Sequence, residues 1–79
     1  MRYYFHIRDQ DQLIPDEEGS ELSGMAAARF EAQASAMDFA IDDLRSGRMI
    51  DDRQIEITNK AGMILESVTV RDAILSRRH

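Results

Sequence analysis

The stretch from Ser23 to Arg45 is alanine-rich and free of proline, and it constrains this chain more than any other feature. A helix of about 20 residues is about 30 Å long. In a chain of 79 residues, a sheet is the surface that can take the whole apolar side of such a helix. Ser23 is the expected N-cap, and Gly47 lies where the C-cap belongs. At 100° per residue, Ala26, Phe30, Ala34, Met37, Ile41 and Leu44 form one stripe, with Ala40 at its margin. That stripe is expected to face the sheet. Glu31, Asp38 and Asp42 lie away from it, and Arg45 complements the carbonyl end of the helix dipole.

The flanking segments read as strands. Tyr3, Phe5 and Ile7 alternate with Tyr4, His6 and Arg8, the period of a strand with one buried side. Asp9 to Gln12 is a turn, and Leu13-Ile14 returns as a short strand that Pro15 confines to a sheet edge. After a polar connection from Arg48 to Arg53, with Met49 and Ile50 packing locally, Gln54–Thr58 alternates again as a third strand. Asn59 to Gly62 is a turn signal that folds Met63–Val70 back as a fourth. Met63 and Leu65 have one parity and Val68 and Val70 the other, so a β-bulge is expected near Glu66-Ser67. Asp72–Leu75 adds a terminal helical turn. The predicted class is α+β: ββαββ, a four-stranded antiparallel sheet in the order 2-1-3-4 with one long amphipathic helix on one face. Residues 1–75 form a single domain and 76–79 a frayed tail.

A domain this small buries only about 60% of its unfolded surface, and with Cys 0 no disulfide staples it. Packing, between subunits included, must supply the stability. The first residues reach Arg8 and Asp9 before any signal-like apolar run, and no stretch is long enough to span a membrane. The expectation is a cytoplasmic protein. Residues 1–22 carry six acids against two bases, whereas residues 48–79 carry six bases against five acids. The overall charge of -5 and its acidic front argue against a nucleic-acid surface.

Few residues suggest chemistry. Asp16, Glu17 and Glu18 are a weak candidate ligand or metal site within the acidic loop 16–21. The carboxylates from Asp9 onward do not match a calcium loop: with Asp9 at position 1, position 5 is Leu13 and the expected glycine at 6 is Ile14. His6 has no nucleophile motif beside it and reads as an outward-facing structural histidine. The scattered glycines cradle no phosphate, so no cofactor is expected. On the helix, Met25, Ala28, Ala32, Ala36 and Phe39 form a second face. Small residues there would admit a close contact with another copy, giving a homo-oligomer, in the simplest case a dimer.

Tyr3 to Asp9, then Pro15-Asp16-Glu17-Glu18-Gly19-Ser20-Glu21-Leu22, then Ala26-Ala27-Ala28-Arg29, carry a resemblance. Over nearly its whole length the chain resembles short proteins of rhizobia and related alphaproteobacteria, a family defined only as a domain of unknown function. Members often have aspartate where His6 stands. The resemblance implies a bacterial, cytoplasmic protein and supplies no activity. The expected function is a non-enzymatic protein-interaction or regulatory module acting as a homo-oligomer. The alternative is a module binding a small ligand or divalent metal through the acidic loop, with an enzyme third.

Overall fold

The computed structural model describes residues 1–47 and 53–75. The connection containing Met49 and Ile50, and the tail 76–79, lie outside the described residues. The elements are β1 (Arg2–Asp9), β2 (Gln12–Ile14), β3 (Ser20–Glu21), α1 (Met25–Arg45), β4 (Gln54–Thr58), β5 (Ile64–Thr69) and α2 (Val70–Leu75). The sheet runs β2-β1-β4-β5, every neighbour antiparallel, which is the strand order expected from the sequence. One element is additional and one starts earlier than expected. The two-residue β3 pairs with Arg2 and Tyr3, making the sheet five-stranded. The terminal helical turn expected at Asp72–Leu75 begins at Val70, which the sequence reading placed in the last strand, and packs as α2 beside α1.

One edge of β1 is taken by β4, so β2 and β3 must share the other. β2 covers Ile7 to Asp9 and β3 covers Arg2 and Tyr3, which leaves a gap at the middle of β1. The β4–β5 turn is closed by Asn59, whose Oδ1 accepts from the amides of Ala61 (3.0 Å) and Met63 (2.9 Å). The conflict of parity in the last strand resolves by a bulge, as expected, but slightly earlier. Ile57 pairs with Glu66 and Thr58 with Ile64, so Leu65 is the extra residue. The bulge puts Val68 into the core opposite Ile55.

The helix is turned relative to the sequence expectation. Ala28, Ala32 and Ala36 are 0% exposed and Ala40 is buried, whereas Phe30 is 69% and Leu44 65% exposed, with Ile41 also outside. Most of the stripe assigned to the sheet faces out, although Met37 packs against the core and Ala40 is buried as expected, and the stripe assigned to another copy faces in. Close approach explains the reversal. Alanines spaced four apart leave a shallow groove, and Ile55, Ile57 and Val68 fill it from the sheet side, with Phe5, Met25 and Phe39 at the margins. Bulk comes from the strands rather than from the helix. Ser23 does not cap: the helix begins at Met25 behind Gly24 with no side-chain cap bond. Its other end is as expected. Gly47, at φ 72, takes the left-handed turn that ends the helix, and its amide donates to the carbonyl of Leu44.

The buried face also carries a charge. Asp43 is 1% exposed, and both its oxygens accept from one Nη of Arg53, at 2.7 and 2.8 Å. The Arg53 guanidinium lies over the Phe39 ring, 4.7 Å from its centroid, and the Arg53 carbonyl accepts from the amide of Val70. One residue at the start of β4 therefore ties together the end of α1 and the junction of β5 with α2. Removing one member of a buried pair strands the other charge and costs about 3–5 kcal/mol, whereas replacing both with apolar groups is often neutral. Urea unfolding should accordingly find Arg53→Met strongly destabilised and the Asp43→Leu/Arg53→Met double variant largely restored. Ala36→Leu should cost about 1–3 kcal/mol by overpacking the helix–sheet contact. Under dilute conditions, Phe30→Ala should stay within about 0.5 kcal/mol of the parent.

Candidate functional site

The sheet face away from α1 is polar. Tyr4, His6 and Arg8 of β1 alternate with the core residues and lie across from Thr58, Glu56 and Gln54 of β4. Arg8 donates to Glu56 from Nε at 3.2 Å, which pairs the largely buried Glu56 carboxylate. A recess of about 210 Å³ opens on this face, lined chiefly by Tyr4, His6, Asp16, Thr58 and Lys60.

Asp16 closes the gap at the middle of β1. Its Oδ2 accepts from the Phe5 amide at 3.1 Å and its Oδ1 from the Gly19 amide at 3.1 Å, so the carboxylate stands in for a strand between β2 and β3. The Asp16 amide in turn donates to His6 Nδ1 at 2.9 Å. With Nδ1 accepting, the neutral imidazole carries its proton on Nε2, which lies 3.2 Å from Thr58 Oγ1 and donates to it. Tyr4 stacks beside the imidazole, ring centroids 6.3 Å apart. Gly19 sits at φ +71, and a Cβ there would come within 2.9 Å of both the Tyr3 carbonyl and the Tyr4 ring. Glycine is required at this position for two independent reasons.

The chemistry open to this recess is narrow. Both imidazole nitrogens are engaged, so His6 has no free lone pair to act as a general base. His6 was expected to face outward, and it lies on the sheet face away from α1 but is half-buried. Asp16 spends both oxygens on backbone amides, while Glu17 and Glu18 are exposed and the Glu18 carbonyl accepts from Arg2. The three acids thus do not converge on one point. Among the described residues no group of three metal-ligating side chains comes together.

The expected interface residues are likewise placed elsewhere. Ala28, Ala32 and Ala36 lie under the sheet, and Met25 and Phe39 pack against the same core, so this face is closed to another molecule. Unbroken i, i+4 spacing from Ala28 to Ala40 was the signal for close packing inward. The residues that sequence reasoning missed are Phe30, Ile41 and Leu44 on the outer face of α1, and Met63, Ile64 and Leu65 at β5, all exposed.

Fold and site together define a small α+β domain: an antiparallel sheet carrying helices on one face and a hydrogen-bonded histidine–aspartate loop at one edge. The chain belongs to the family described as "Domain of unknown function (DUF6894)", whose model matches residues 2–71. No curated protein and no solved structure matches it. No helix among the described residues is long and apolar enough to cross a membrane.

If the acidic segment is a structural closure, its loss should show as instability. Gly19→Ala should lower the melting temperature, and Asp16→Ala should cost about 1–3 kcal/mol by leaving backbone donors unmatched. In the parent protein, ¹⁵N NMR of His6 should show the proton on Nε2, and amide exchange at Phe5 should accelerate in Asp16→Ala.

Proposed function

We propose that this chain is a non-enzymatic interaction module that works by associating with copies of itself. One observation carries the reading: large apolar side chains stand exposed on α1 at Phe30, Ile41 and Leu44, and at β5 from Met63 to Leu65. Single exposed apolar residues are ordinary, but a set of them on two adjoining elements, Phe30 on the helix side and Ile64 on the sheet face away from α1, favours a contact along the margin that both flank. The elements do adjoin. Arg29, the neighbour of Phe30, donates from Nε to both oxygens of Glu66 on β5 at 2.9 Å. The thin core points the same way: among the described residues the buried apolar side chains larger than alanine are Tyr3, Ile55, Ile57, Val68 and Val70. A second copy would supply burial that one chain of 79 residues lacks. The engaged nitrogens of His6 favour binding over catalysis.

Sedimentation velocity and light scattering on the full chain at micromolar concentration should find a homo-oligomer. Phe30→Glu should shift it toward monomer while far-UV circular dichroism stays unchanged. A parent protein that remains monomeric across that range would overturn the reading.

A further inference from the structure

The two edges of the sheet are treated differently. The outer edge of β1 is guarded: β2 is three residues long, Pro15 follows it, Asp16 plugs the gap, and β3 covers the beginning. Acids cluster along that side at Asp9, Asp11, Glu17, Glu18 and Glu21. These are the devices by which proteins stop an edge from pairing. The outer edge of β5 has fewer of them: its bulge at Leu65 lies at the start of the strand, which leaves Glu66–Thr69 regular. Among the described residues no strand pairs with it, no proline interrupts it, and its single charge, Glu66, is held by Arg29.

Building on the self-association proposed above, we infer that two copies join edge to edge through antiparallel β5 strands, making one sheet continuous across the dimer. The outward backbone groups of β5, otherwise satisfied by water, can be taken up by an extended chain, and the same strand of a second copy supplies one with the same spacing. Electrostatics selects this edge. The strand order places the acidic side at the far end of the sheet, three inter-strand spacings or about 15 Å away. That exceeds the screening length of about 8 Å at physiological salt, so the net charge of -5 does not oppose contact here.

Area identifies what joins the ladder. A six-residue strand is about 20 Å long, and a standard interface buries about 800 Å² per partner, about a seventh of this chain's 5506 Å². A single ladder is too narrow for that. A two-fold axis through an antiparallel pair runs perpendicular to the sheet, which leaves α1 of both copies on the same side. Exposed Met63, Ile64 and Leu65 at the start of β5, Ile64 on the sheet face away from α1, and on the helix side Phe30, next to the Arg29–Glu66 pair, then add apolar area on both sides of the ladder.

Two-fold antiparallel pairing puts one residue of β5 directly opposite its own copy, at a Cα separation of about 4.5–5.5 Å that a disulfide spans. Because the chain has no cysteine, single variants report cleanly. Mild oxidation of Ile64→Cys, Leu65→Cys, Ser67→Cys and Thr69→Cys should give a disulfide dimer at one of these positions, and none for Asp11→Cys at the guarded edge. Ile64→Lys/Leu65→Lys, both at exposed sites, should raise the dimer dissociation constant by about tenfold or more with unchanged circular dichroism. A dimeric parent with no cross-link along β5, and a lysine variant that stays dimeric, would overturn edge pairing while leaving self-association intact. A monomeric parent would overturn both.

Discussion

Everything in this fold depends on how closely α1 can lie on the sheet. Ala28, Ala32, Ala36 and Ala40 contribute almost no bulk, so the contact is made by strand side chains reaching up to the helix backbone. A larger residue at any of the four would lift the helix and open a void beneath it. The same closeness fixes the helix rotation. With the small stripe inward, Phe30, Ile41 and Leu44 have nowhere to go but outward. The exposed apolar surface is thus a geometric consequence of how the core is made.

That arrangement leaves the C-terminal part of α1 held by polarity rather than by apolar volume. Asp43 follows Ala40 on the buried face and is held by Arg53, which also stacks on Phe39 and accepts the Val70 amide through its carbonyl. A buried ion pair adds little net stability, but it tolerates few alternatives, because a helix rotated by one residue would strand both charges. The pair therefore contributes specificity of packing to a core with few large side chains. It also fixes the start of β4, and through the Val70 bond it fixes where β5 becomes α2.

The strands and their order were legible because each depends on local pattern: alternation in β1 and β4, turn residues at Asn59 to Gly62, and a parity conflict that only a bulge resolves. The helix was legible as a helix but not in its rotation. Hydrophobicity weights Phe30, Met37, Ile41 and Leu44 above four alanines, whereas packing here is decided by approach distance, which a sum over side chains does not contain. β3 and the role of Asp16 were hidden for a related reason. Two residues of Ser20–Glu21 have no periodicity to read, and a carboxylate that substitutes for a strand looks in sequence like any loop acid. The partners of His6 were not legible because they lie 10 and 52 positions away.

The most recognisable segment of this chain is accordingly not where its function is best sought. Asp16 and Gly19 answer demands made by β1: an unpaired amide at Phe5 and a passage too tight for a Cβ beside Tyr4. Any chain that builds this edge in this way needs those residue types there, whatever it does. A motif of this kind identifies a fold and is silent on activity. What distinguishes one side of the molecule from the other is that the first edge is closed at some cost in loop and hydrogen bonding, and the second has no strand paired to it among the described residues. An open edge with its only charge neutralised invites pairing, and a domain with so thin a core has the most to gain from accepting it.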